Sequence, residues 1–137
     1  MRFQFLKHTA DVKFQSFGET PEQAFENSAL ALVSTIAPET KINSKKEKII
    51  RIKASDFESL LYTFLEEVLY LLDAEDFLVS EVKNLKINSN PFELDCIFLG
   101  DKASDYNFSN SVKAITYNEM FVKQENYQWI CQVVLDV

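Results

Sequence analysis

The sequence predicts an α+β fold in which two helices pack on one face of a mainly antiparallel β-sheet. Three observations predict it. Two stretches carry apolar residues at helical spacing: Phe25, Ala29, Leu32, Val33 and Ile36, then Phe57, Leu60, Leu61, Phe64, Leu65, Val68, Leu69 and Leu72. Flanking segments alternate with the period of a strand. After the second helical stretch come only strand-like segments joined by polar turns, which disfavours a doubly wound parallel sheet.

The elements follow in order. Residues 2–6 are aromatic-rich and read as a first strand. His8-Thr9-Ala10-Asp11 forms a loop before a second strand over residues 12–17, which Gly18 ends. Thr20-Pro21-Glu22-Gln23 marks a helix start: Thr20 caps, Pro21 suits the first helical position and Gln23 closes a capping box. Pro38 stops that helix. A Lys-rich loop over 39–48 leads to a strand over 49–54. Ser55-Asp56-Phe57-Glu58 reads as a second capping box, Ser55 paired with Glu58, and the acidic segment Asp73-Ala74-Glu75-Asp76 ends the second helix. Residues 77–88 read as a strand, and Asn88-Ser89-Asn90-Pro91 as a turn. Phe92, Leu94, Cys96 and Phe98 then alternate with Glu93, Asp95, Ile97 and Leu99, and a polar loop follows over 100–110. Two closing strands, 112–124 and 127–137, are joined by Glu125-Asn126. In the last one Trp129, Cys131, Val133, Leu135 and Val137 share a face.

A chain of 137 residues suits one domain, expected to span 1–137. With 14 basic and 21 acidic side chains, the formal charge is −7. An acidic field repels phosphate backbones, so no strong direct nucleic-acid binding is expected. Gly18 and Gly100 are the only glycines, and no phosphate-cradling glycine motif can be written with them. His8 is the only histidine, so any metal site would be built mainly from oxygen. Cys96 and Cys131 are too few for a disulfide scaffold. Both sit in strand-like apolar surroundings and are expected as buried thiols, which disfavours a Cys–His nucleophile. No apolar run reaches the ~18 residues of a membrane span. The first residues lack the features of a secretion signal, so a cytoplasmic protein is expected.

Three places carry candidate chemistry. In the first loop, Asp11 suits a hard cation and His8 would orient it; the alternative is a turn in which Thr9 and Asp11 bond their own backbone. At the other end, Asp136 and the carboxylate of Val137 are held close by covalent geometry. They repel unless a cation such as calcium or magnesium sits between them. The alternative is a solvated, frayed end. The third place is acidic: Glu66, Glu67 and Asp73, with Glu75 and Asp76 following. It reads either as a surface for a basic partner or as the solvated face of a helix. Lys41, Lys45, Lys46 and Lys48 read as a solvated loop.

Four separated motifs, in order, resemble the archease family. His8-Thr9-Ala10-Asp11-Val12 and then Gly18-Glu19-Thr20-Pro21-Glu22-Gln23-Ala24-Phe25-Glu26-Asn27 are similar to its opening. Leu65-Glu66-Glu67-Val68-Leu69-Tyr70-Leu71-Leu72-Asp73 is similar to its central helix. Val112-Lys113-Ala114-Ile115-Thr116-Tyr117 and the terminal Val133-Val134-Leu135-Asp136-Val137 are similar to its closing hairpin. The resemblance implies a small non-enzymatic accessory factor. Its partner would be the GTP-dependent RNA-splicing ligase, whose guanylylation and multiple turnover it promotes. It also implies a divalent cation, calcium in crystals with magnesium or manganese as alternatives. Asp11, Asp136 and Val137 would hold that cation, and Lys113 would matter for activating the ligase. The chain departs from the family pattern at Glu66, where Asn is frequent, at Asn118, where His is common, and over residues 105–111. On the residues alone, two other readings stay open: a small metal-dependent hydrolase using Asp11, Asp136 and His8, and a plain divalent-cation-binding domain.

Overall fold

Seven strands and two helices make up the computed structural model, which describes residues 1–8 and 10–137. Strands β1 (Phe3–Leu6) and β2 (Val12–Gly18) precede helix α1 (Pro21–Ile36). Strand β3 (Lys46–Ala54) leads to α2 (Phe57–Glu75). Strands β4 (Phe77–Ser89), β5 (Phe92–Lys102), β6 (Ala114–Glu125) and β7 (Gln128–Asp136) follow. Every pairing is antiparallel. The strands form two sheets rather than one, ordered β1-β2-β7-β6 and β3-β5-β4.

The alternation that predicted the strands also sets their inner faces. Phe14, Cys131, Val133 and Leu135 are fully buried from the first sheet, and Leu94 and Phe98 from the second. Phe64 of α2 joins the layers: its ring centroid lies 5.9 Å from Phe25 of α1 and 5.5 Å from Phe98 of β5. Helix α1 packs against β2 and β4, and α2 against β6, β3 and β4. Cys96 and Cys131 are both buried and free, as expected from their surroundings. Loss of water around them pushes both thiols up to about 12.

Both helix starts carry side-chain caps, with shifted partners. Thr20 Oγ1 accepts from the Gln23 amide at 3.1 Å, but Gln23 Oε1 reaches the amide of Glu19, at 2.7 Å, instead of that of Thr20. In α2 the cap is Asp56, not Ser55. Its Oδ1 accepts from the Ser59 amide at 2.8 Å, and the Asp56 amide donates to Ser59 Oγ at 3.2 Å. The box has moved one residue along: Asp56 holds the extended backbone of a cap, and Ser59 rather than Glu58 returns the bond. Gly18 lies so close to α1 that a Cβ there would stand 2.5 Å from the Ala24 amide nitrogen. Ser16 Oγ donates to the Ala24 carbonyl at 2.8 Å and Asn27 Nδ2 to the Phe17 carbonyl at 2.7 Å, fastening helix to strand.

Two loop expectations change. Residues 100–102 continue β5, and Ala103–Asp105 form a short 3-10 turn. Lys46 and Lys48 belong to β3 rather than to a solvated loop, and Lys48 Nζ pairs with Glu75 Oε1 at 2.6 Å. Among the described residues no helix is long and apolar enough to cross a membrane.

Candidate functional site at the end of the four-stranded sheet

The register of the first sheet decides which loop residues meet. The last pair between β2 and β7 at this end is Val12 with Leu135, and Asp11 and Asp136 each lie one residue beyond that pair. On the other side of β7, Ala114 pairs with Asp136, and one step outward sets Lys113 beside Val137. The Lys113 amide donates to the Asp136 carbonyl at 2.7 Å, which holds the end of β7 against β6. Sequence positions at opposite ends of the chain thus share one edge because β7 lies between β2 and β6.

Asp11 is approached from the loop before it. His8 Nδ1 lies 3.7 Å from Asp11 Oδ2, and His8 Nε2 lies 3.1 Å from Glu119 Oε2. Glu119 Oε1 also accepts from Lys13 Nζ at 3.2 Å. These two donors, Lys13 foremost, hold the Glu119 carboxyl below the usual carboxylate range. His8 Nδ1 is buried and finds no hydrogen-bond partner among the described residues. Thr9, the turn-forming candidate of this motif, lies outside the described residues.

Among the described residues no group of three or more His, Cys, Asp or Glu side chains could hold a metal ion. Of the residues expected to hold a cation, Asp11 and Asp136 supply two side-chain donors, short of that number. That donor set is all oxygen and suits a hard divalent cation.

The acidic helix candidates fall beside Lys113. Glu66, Glu67 and Asp73 line a cleft of about 380 Å³ together with Thr63, Tyr70 and Lys113. Burial raises the Glu67 carboxyl above its ordinary range, and Glu75 and Glu66 add repulsion. At the next turn of α2, Tyr62 stacks on Tyr117 of β6 with ring centroids 4.2 Å apart and planes 5° from parallel. The cleft is thus walled by one helix and one strand, with the lysine on the strand side.

Sequence reasoning missed Glu119 and Lys13. Glu119 is reached through an irregularity in β6: Tyr117, Asn118, Glu119 and Met120 stand between the Thr116–Val134 and Phe121–Gln132 pairs, where β7 has only Val133. Glu119 itself takes a left-handed backbone, with φ of 54°. The polar pair Asn118-Glu119 inside an otherwise strand-like run was the available signal.

Comparison with known proteins places these residues in a family. The model of the Archease protein family matches residues 3–137. The chain is 36% identical to protein archease of Pyrococcus furiosus, covering 99% of each chain. It is 35% identical to that of Methanosarcina barkeri, covering 99% of this chain and 96% of the relative. The solution structure of Methanobacterium thermoautotrophicum protein 1598 superposes with a TM-score of 0.86 at 30% identity, covering 99% of each chain. The crystal structure of a Thermotoga maritima archease, described as a possible chaperone, shares the fold with a TM-score of 0.66 at 18% identity, covering 96% of this chain and 94% of that one.

Proposed function

The chain belongs to the archease family, and on that premise we propose that it is an accessory factor of a GTP-dependent RNA-splicing ligase. In this reading it works in the cytoplasm, promotes guanylylation and multiple turnover of the ligase, and catalyses no reaction itself. The observation that carries it is the register that brings Asp11, Asp136 and Lys113 to one sheet end. Asp11, Asp136 and Val137 would hold a divalent cation there, which supplies a concentrated positive charge at the tip of the molecule. Lys113, exposed beside them, would meet the ligase directly. A net charge of −7 fits a factor that contacts a protein rather than an RNA backbone.

The test adds the protein to a cognate ligase with GTP and a divalent metal, and follows the guanylylated fraction and turnover. Wild type raises both, whereas Asp11→Ala and Asp136→Ala lose the effect. No stimulation by wild type, or full stimulation by both variants, overturns the proposal.

A further inference from the structure

We infer that Glu119 is a positioning residue for the cation site: it fixes the His8 ring and the flanks of Asp11, so that Asp11 is held ready beside Asp136. The inference rests on the cation reading above and adds a residue to it. Glu119 holds the chain on both sides of Asp11, through His8 before it at 3.1 Å and Lys13 after it at 3.2 Å. Its reach is built into the backbone. The irregularity in β6 and the left-handed φ of 54° at Glu119 set this residue apart from the regular ladder.

The position is also pinned from below. Gln132 Nε2 donates to the Glu119 carbonyl at 2.7 Å, Gln15 Nε2 to Gln132 Oε1 at 2.9 Å, and Gln4 Nε2 to Gln15 Oε1 at 3.3 Å. This row of amides crosses the sheet from β1 to β6. The carboxylate of Glu119 can only accept, so His8 Nε2 carries the proton in their bond. Nδ1 of the same ring lies 3.7 Å from Asp11 Oδ2 and is buried without a hydrogen-bond partner among the described residues. An acceptor that sets the orientation of a histidine next to a cation site acts through that histidine; loss of the partner of a ligating histidine costs about 10–100-fold in affinity, and His8 stands one step further out, so the low end of that range is expected.

The test uses the full chain and calcium or manganese ions, titrated by calorimetry, with long-range proton–nitrogen NMR of the His8 ring. Wild type binds the ion and shows the Nε2-protonated ring. Glu119→Ala weakens binding about tenfold or more and loses the single tautomer, with little change in melting temperature because the side chain is half exposed. Glu119→Gln keeps an acceptor for His8, so it restores the tautomer and most of the affinity. Wild-type affinity and an unchanged tautomer in Glu119→Ala overturn the inference while leaving the cation reading intact. Absence of ion binding by wild type overturns the cation reading and, with it, this inference.

Discussion

The amide of Lys113 donates to the carbonyl of Asp136 at 2.7 Å, so the end of β7 is held by the residue that precedes β6. The bond uses only main chain. It leaves the Lys113 side chain exposed at the rim of the acidic cleft. Replacement of that side chain is therefore expected to separate function from folding. Lys113→Ala changes unfolding free energy by less than about 0.5 kcal/mol, as for an ordinary surface position. The same variant is expected to stimulate the ligase poorly. Urea unfolding and the guanylylation assay check the two halves.

Phe64 bridges α1 and β5 by ring contacts and is fully buried. Phe64→Ala removes the link between both helices and the second sheet and leaves a cavity. A loss of about 3–5 kcal/mol is expected, read as a lower urea midpoint.

Asp56 caps α2 through the Ser59 amide; the Ser59 hydroxyl foremost, and then that amide, hold its carboxyl below the usual range. Asp56→Ala is expected to cost about 1 kcal/mol. The sign with pH follows from the direction of the shift. The cap's contribution is complete above the ordinary aspartate range and fades as pH falls through the lowered folded value. The stability difference between wild type and variant is thus expected to shrink in acid, as measured by thermal melts from neutral to low pH.

Cys96 and Cys131 are raised to about 12 in the folded chain from an ordinary value of 9.0. A raised thiol is protonated in both states below 9.0, and above it only the unfolded chain ionises. Stability is therefore expected to decline as pH climbs from that point toward 12. A Cys96→Ala, Cys131→Ala double variant is expected to show a flatter alkaline decline. In native protein at neutral pH neither thiol is expected to react with an aromatic disulfide, and both are expected to react after unfolding.

Local structure was legible where one periodicity runs unbroken. The stripe from Leu60 to Leu69 predicted α2, and the alternation from Cys131 to Leu135 predicted the buried face of β7. The Thr20 cap was legible and the partner of its box was not, while in α2 the cap itself moved from Ser55 to Asp56, since Ser55, Asp56 and Ser59 compete within one turn. Asp11 and Asp136 were visible separately. Their adjacency was not, because it depends on β7 lying between β2 and β6, and periodicity within a strand says nothing of its distant neighbours. The family resemblance implied that meeting, and the register carries the two strands to the pair just before it, Val12 with Leu135. Glu119 stayed hidden because the irregularity in β6 resets the alternation over the residues that expose it.

The placement of β7 between β2 and β6 also has a kinetic side. Pairing Val12 with Leu135 closes a loop that contains almost all of the chain, and such long-range closure slows folding. While the protein is being synthesised, Asp11 leaves the ribosome well before the strand β7 that its own strand pairs with. The sheet end that would hold the cation can assemble only after the helices and the second sheet have been made. On the proposed reading, binding of the ion would require β7 to be in place and would be withheld from nascent chains that lack it.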